Sequence, residues 1–257
     1  MNPALLVVDG VSRSYGGVRA LIDVSLSVDA SEKVAVIGPN GAGKTTLFNI
    51  IDGQLEPDSG SASLQGRVLT GLPPHAIAHE GIGRTFQVTA TFGSMSVLEN
   101  VEVALLSRRR ALGSRLGRIP ASCAKDARDL LQRVGVSALA EHPCATLAYG
   151  DLKRVELAIA LAGSPRVLLM DEPTAGMAPR ERQQLMQSVV RVAREDRVAV
   201  LFTEHDMDVV FAHADRVVVL DRGRVIASGA PAEVRGDTRV REVYLGSEEA
   251  PSGRADA

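Results

Sequence analysis
No stretch of the chain approaches the ~20 consecutive apolar residues that a membrane-spanning helix needs. The opening residues, MNPALLVVDG, lack the basic start and long apolar region of a secretion signal. If the protein works at a membrane, it does so from the aqueous side. Cysteine is scarce as well. Only Cys123 and Cys144 occur, in no metal-ligand spacing, which reads as reduced thiols in a cytosolic protein. Excess charge is also missing: the formal net charge is −2, whereas a general nucleic-acid binder carries a basic face or stripe. What remains, 45% apolar and 23% charged residues over 257, is the composition of a soluble globular chain. That length suffices to bury one large core or two modest ones.

Short β-branched runs alternate with helical segments, which predicts a largely parallel sheet covered by helices. The strand candidates are 33–37, 167–170, 198–202 and 217–220. Earlier stretches, 24–28 and 61–68, alternate apolar with polar residues and predict an antiparallel sheet with one wet face. From about Val97 to Ala162 there is no good strand and at least three helical patterns, so a helical subdomain is expected to interrupt the α/β core. The tail from Ser247, SEEAPSGRADA, is small and polar and is expected to be disordered.

The stretch KVAVIGPNGAGKTTLFNI is a strand, a glycine-rich turn and a helix. Its Gly38, Gly43, Lys44 and Thr45 satisfy G-x-x-x-x-G-K-[ST]. Bulkier residues would keep backbone N–H groups from closing around phosphate oxygens. The helix beginning near Gly43 adds its dipole to the anion site. Lys44 is expected to reach the β and γ phosphates and Thr45 to offer its hydroxyl to Mg²⁺. The second half of such a site is VLLMDEP, an apolar strand that delivers Asp171 and Glu172 to its end. One carboxylate can hold Mg²⁺ through water while its neighbour accepts a proton from the attacking water. About twenty residues before these acids, Tyr149, Gly150 and Asp151 form a glycine-containing turn. It precedes a segment with helical spacing at Leu152, Val155, Ile159 and Ala162.

Taken together, GPNGAGKTT, LAYGD, VLLMDE and TEHD resemble the nucleotide-binding subunit of ABC transporters over residues 5–246. The resemblance implies a phosphate-loop α/β core of mostly parallel sheet, at 1–90 and 163–246. It also implies an antiparallel β subdomain and a helical subdomain inserted at about 91–162. Nucleotide contacts are implied for Tyr15, which would stack on adenine, and for Gly38, Pro39, Asn40, Gly41, Ala42, Gly43, Lys44, Thr45 and Thr46. The helix end at Leu147, Ala148, Tyr149, Gly150 and Asp151 would cap the γ phosphate of ATP held by a second subunit. Glu172 would be the general base, His205 would contact the γ phosphate, and Gln87 would touch Mg²⁺ and the lytic water. Thr45, Gln87 and Asp171 would serve the metal.

Three departures limit this transfer. Ala148 lacks the hydroxyl of the usual serine. Asp151 puts negative charge near a polyphosphate unless it caps the following helix, which is the expectation here. Ala178 replaces the aspartate that usually crosses the dimer, and no polar role is expected of it.

GIGRTFQ, LAYGDLKRVELA, EPTAGMAP, the run from TEHD to APAEV, and VREVYLG are similar to the ATP-binding subunits of branched-chain amino-acid importers. Related endings occur in urea-importer ATPases and in lipopolysaccharide export, and a soluble non-transport ABC ATPase is the rival from another class. The resemblance implies ATP and Mg²⁺ as cofactors. Its implied partners are a second ATPase subunit, membrane permease subunits and, indirectly, a substrate-binding protein, with no nucleic acid. It places the chain at the cytoplasmic face of the inner membrane. The segment SRRRALGSRLGRIP carries Arg108, Arg109, Arg110, Arg115 and Arg118 with no acid. It reads either as a solvated loop or as a patch against anionic headgroups.

Overall fold
A computed structural model describes residues 4–85, 91–111 and 121–245. Its strands are β1 (Leu6–Tyr15), β2 (Val18–Val28), β3 (Lys33–Ile37), β4 (Ser59–Leu64), β5 (Arg67–Val68), β6 (Ile82–Thr85), β7 (Val167–Asp171), β8 (Ala199–Thr203), β9 (Arg216–Asp221) and β10 (Arg224–Gly229). Its helices are α1 (Lys44–Ile51), α2 (Pro74–Glu80), α3 (Val97–Ala111), α4 (Ala121–Arg133), α5 (Tyr149–Ala162), α6 (Pro179–Glu195), α7 (Met207–His213), α8 (Pro231–Gly236) and α9 (Thr238–Leu245). Among the described residues, no helix is long and apolar enough to cross a membrane.

Two sheets organise the chain. One is antiparallel with order β2-β1-β4-β5; the other has order β10-β9-β3-β8-β7-β6. In the second, β9, β3, β8, β7 and β6 run parallel and only β10 is antiparallel. The central strands read as unbroken apolar runs because both of their faces are covered. Side chains alternate across them with a period of two. Val34, Val36, Leu169, Leu201 and Val218 pack with the antiparallel sheet and with Leu47, Phe48 and Ile51 of α1. Ala35, Ile37, Leu168, Met170, Val200, Phe202 and Val219 pack on the other face with α3 to α6. Free, buried Cys123 and Cys144 belong to this second core.

The sequence expectations hold for the mixed α/β class and for helices α3, α4 and α5 between β6 and β7. They differ in detail. The strand expected at 198–202 is shifted to Ala199–Thr203. The stretch 61–68 is two strands, parted at Gln65 and Gly66, whose φ angles are both positive. Strands β6 and β10 form the two edges of the large sheet and were not anticipated. The expected disordered tail, Gln87, Arg115 and Arg118 lie outside the described residues.

One consequence of the topology positions the site. β3, β8 and β7 are neighbours and parallel, so the loop after Ile37, the end of β8 at Thr203 and the end of β7 at Asp171 open on the same sheet edge. Ligands of open parallel sheets bind outside these carboxyl ends.

Candidate active site
Between β3 and α1, the chain turns through Gly38 to Gly43, and two of its glycines are sterically required. A Cβ at Gly38 would lie 2.0 Å from the carbonyl oxygen of Leu220. One at Gly43, whose φ is +107°, would lie 2.4 Å from the carbonyl oxygen of Ala20. The loop is therefore seated on β2 and on the β9–β10 turn, where the Gly223 N–H donates to the Ala42 carbonyl at 3.0 Å. Gly43 is the left-handed N-cap of α1, and no acid neutralises the positive end of that helix in its first turn. Lys44 Nζ donates to the carbonyls of Gly38 at 2.7 Å and Pro39 at 3.1 Å, so the ammonium is held inside the loop. Burial lowers its pKa below the usual lysine value, and the nearby carboxylates of Glu172 and Asp171 oppose that shift. Thr45 is exposed at the helix start, with Thr46 half-buried beside it. Tyr15 ends β1, the residue 48% exposed, with the Arg13 guanidinium 5.3 Å from its ring centre.

Asp171 is the last residue of β7 and is buried. Its Oδ1 accepts from Thr203 Oγ1 at 2.6 Å, and Arg84 Nη2 stands 3.5 Å from its Oδ2. Glu172 follows with φ +48°, a conformation that costs a non-glycine residue about 1–3 kcal/mol. Its N–H donates to Thr203 Oγ1 at 2.9 Å. Its Oε1 lies 2.8 Å from Nε2 of His205, which is exposed just beyond β8. Lys44, Asp171, Glu172 and His205 are thus brought together from three consecutive strand ends. The other four histidines fall elsewhere: His75, His79 and His142 are exposed, and His213 is half-buried at the end of α7.

Tyr149, Gly150 and Asp151 are the first turn of α5, not a turn that precedes it. In that first turn Gly150 packs directly on Glu181 of α6, where a Cβ would stand 2.7 Å from Glu181 Cδ. Asp151 does not cap the helix. Ala148 is the N-cap residue and makes no side-chain cap bond, while the Asp151 carboxylate is paired with Arg154. That pairing reduces the negative charge the acid presents, and an acid in a first turn also suits the helix dipole. The Tyr149 ring is exposed, with Lys153 Nζ 5.5 Å from its centre. Leu147 is half-buried. Exposed Ala178 caps α6 through its backbone alone, its N–H donating to Glu181 Oε2 at 3.1 Å.

A family model described as ABC transporter matches residues 21–175, and one described as branched-chain amino acid ATP-binding cassette transporter matches 224–250. Over 253 residues the chain is 39% identical to the high-affinity branched-chain amino acid transport ATP-binding protein LivG of Salmonella typhimurium, spanning 96% of this chain and 99% of that one. It is 36% identical over 256 residues to BraF of Pseudomonas aeruginosa, of the same description, with 96% and 99% covered. It is also 32% identical over 245 residues to the lipopolysaccharide export system ATP-binding protein LptB of Haemophilus influenzae, with 95% and 98% covered. Among solved structures, the ADP conformation of MJ1267, an ATP-binding cassette of an ABC transporter, superposes with a TM-score of 0.86 at 30% identity, covering 95% of this chain and 100% of that one. A dimeric post-hydrolysis state of the cassette MJ0796 bound to ADP and Pi gives 0.75 at 26% identity, covering 88% and 98%. Fold and site together define an ATP-binding cassette. The chain belongs to the ABC transporter family, as an ATPase subunit similar to those of branched-chain amino acid transport.

Three residues in contact with this site were not singled out from sequence. Thr203 and Glu204 lie in the quoted TEHD, and Arg84 lies in GRTFQ. Arg84 Nη1 donates to Asn49 Oδ1 at 2.7 Å and to Asp52 Oδ2 at 2.6 Å, tying α1 and β6 to Asp171. Their proximity to His205 and Gln87 in the motifs was the available signal.

Proposed function
We propose that the chain is a single nucleotide-binding domain over residues 1–246, with its core at 1–90 and 163–246 and a helical subdomain at about 91–162. It powers a membrane importer of branched-chain or related hydrophobic amino acids from the cytoplasmic face of the inner membrane. The observation that carries the cargo is the match of residues 224–250, which include β10, α8 and α9, to the branched-chain family model. Two such subunits close around two ATP molecules, each held between one chain's phosphate loop and the other's residues 147–151. In the first, the loop N–H groups and the Lys44 ammonium hold the phosphates, and Tyr15 offers an exposed ring to the adenine. Glu172 takes the proton of the attacking water, with His205 hydrogen-bonded to it and directed at the γ phosphate.

The Thr45 hydroxyl and the Asp171 carboxylate are hard oxygen donors of the kind that suits Mg²⁺. Bound there, the ion would screen the phosphate charge that develops during transfer. Gln87 is the third metal residue of this reading and lies outside the described residues.

The permease has a place to dock. A groove of about 730 Å³ is lined by α2, β6, the end of α3 and the turn after α5, including Ile77, Gly83, Ala104 and Pro165. It opens beside Asp52 and Arg84, whose bonds lead to Asp171, so a helix seated in the groove is mechanically connected to the hydrolytic site.

The test is uptake of labelled leucine by cells lacking the gene. The wild-type chain should restore ATP-dependent uptake. The Glu172→Gln chain should bind ATP yet restore none, because loss of a general base costs about 10²–10⁴-fold in rate. Normal uptake without the gene rejects the cargo; full hydrolysis by Glu172→Gln rejects the assignment of the base.

A further inference from the structure
Behind the reacting groups lie two polar side chains more deeply buried than either. Thr203, the last residue of an otherwise apolar strand, is 0% exposed, and Glu204, the residue after it, is 3% exposed. The Thr203 hydroxyl has one proton, and it donates that proton to Asp171 Oδ1 at 2.6 Å. It must then accept from the N–H of Glu172, which stands 2.9 Å away. One hydroxyl therefore fixes both acids, and it holds the left-handed backbone of Glu172 at φ +48° in place.

Glu204 works on the next turn of the same loop. Its Oε1 accepts from the N–H and the Oγ1–H of Thr174 at 2.8 and 2.6 Å, and its Oε2 accepts from the N–H of His205 at 3.2 Å. A single carboxylate thus joins the loop that carries Glu172 to the residue that carries the imidazole. Burying a carboxylate is unfavourable unless its hydrogen bonds are made, and an apolar side chain would fill the same space without that cost. What the polar pair adds is geometry. It fixes both ends of the 2.8 Å contact between Glu172 and His205.

We propose that Thr203 and Glu204 are positioning residues for hydrolysis: together they clamp the loop after β7 to the end of β8, so that the Glu172 carboxylate and the His205 ring meet in the reactive arrangement. This rests on the reading of Glu172 as the general base. It goes beyond that reading in assigning the base's placement to side chains that act through it.

The experiment compares Thr203→Val, Thr203→Ser, Glu204→Gln and Glu172→Gln in the full chain, reading kcat and KM for ATP, binding of a fluorescent ATP analogue, and melting temperature. Valine keeps the β-branched shape in the strand and removes both hydroxyl bonds; serine keeps them. A displacement of the order of 1 Å at a reacting group costs about 10²-fold in rate. Accordingly, Thr203→Val should lower kcat about tenfold to a hundredfold while KM and analogue binding stay within about twofold. Thr203→Ser should recover most of that loss. Glu204→Gln keeps an acceptor for Thr174 but turns an N–H group toward His205, and it should lower kcat with KM unchanged. In the Glu172→Gln background, Thr203→Val should cause a smaller further loss than it does alone, since residues that act as a unit are not additive, and what remains is the share carried by its bond to Asp171. Wild-type turnover in Thr203→Val and Glu204→Gln beside an inactive Glu172→Gln overturns the clamp and leaves the base intact. Equal loss in the serine and valine variants, or a loss additive with Glu172→Gln, also overturns it. Full activity of Glu172→Gln removes the reading on which the proposal stands.

Discussion
Gly150 in the first turn of α5 rests on the side chain of Glu181: a Cβ there would meet Cδ at 2.7 Å, Oε1 at 2.8 Å and Cβ at 3.0 Å. The same carboxylate accepts the N–H of Ala178, so the start of α5 and the start of α6 share one support. Gly150→Ala must displace the Glu181 side chain, whose other carboxylate oxygen accepts from the Ala178 N–H. In the proposed sandwich, residues 147–151 face the other subunit's nucleotide, so the expected outcome is a selective one. Binding of ATP to the isolated chain stays within about twofold, because the phosphate loop is untouched, while ATP-dependent dimerisation and hydrolysis fall by about tenfold or more. Gel filtration with ATP, in a Glu172→Gln background that accumulates the bound state, reads the first; phosphate release reads the second.

Gly38 and Lys44 should fail differently. Gly38→Ala places a Cβ on the Leu220 carbonyl, which belongs to β9 and cannot move independently, so the loop itself must shift. Lys44→Ala leaves the loop's path free and removes one cation. A hydrogen bond to a charged group contributes about 1.5–3 kcal/mol, so Lys44→Ala should weaken ATP affinity about tenfold to a hundredfold. Gly38→Ala should abolish measurable binding. Calorimetric titration of both variants with ATP distinguishes the two outcomes.

Acid sensitivity should trace in part to His213. Burial first, and the Lys33 cation second, lower its pKa in the fold. The unfolded chain then binds a proton that the folded chain refuses. The resulting stability is present above the ordinary histidine pKa and is lost as pH falls through the lowered one. Melting temperature measured from about pH 7.5 to about 5.5 should therefore drop less in His213→Gln than in wild type. An identical drop in both would show that other groups carry the effect.

The parts of this molecule that sequence made legible are those whose cause is local or one-dimensional. The runs VAVI, VLLM and VVVL are buried on both faces of a parallel sheet, so no polar residue interrupts them. GPNGAGKTT has its chemistry in contiguous residues. The edge strands β6 and β10 carry Arg84 and Ser228, which a strand with one unpaired side tolerates, and their pairing to β7 and β9 is set by neighbours in space. At the start of α5, Gly150 reads as a turn residue in sequence, and the Glu181 side chain it packs against lies thirty-one positions later. Thr203 and Glu204 were passed over for a similar reason: their partners, Asp171, Glu172 and Thr174, are 30 to 32 residues away in sequence, and only the β7–β8 register brings them together.

The neighbouring β6–β7 register places a buried cation against two acids. Arg84 serves Asp52, the C-cap residue of α1, and Asp171 on β7, and the three side chains are only 10%, 10% and 3% exposed. Arg84→Met fills a similar volume but leaves two carboxylates without their cation in a poorly solvated place. Breaking a buried ion pair from one side costs about 3–5 kcal/mol. For a chain of this size that corresponds to a fall in melting temperature of roughly 6–20 °C. Arg128 and Glu141 supply the control, since their pair is exposed on both sides and such pairs contribute about 0–1 kcal/mol. Differential scanning calorimetry of Arg84→Met beside Arg128→Met should therefore show a large shift in the first and almost none in the second. Because Asp171 also bonds Thr203, the Arg84 variant should lose turnover even at temperatures where it remains folded.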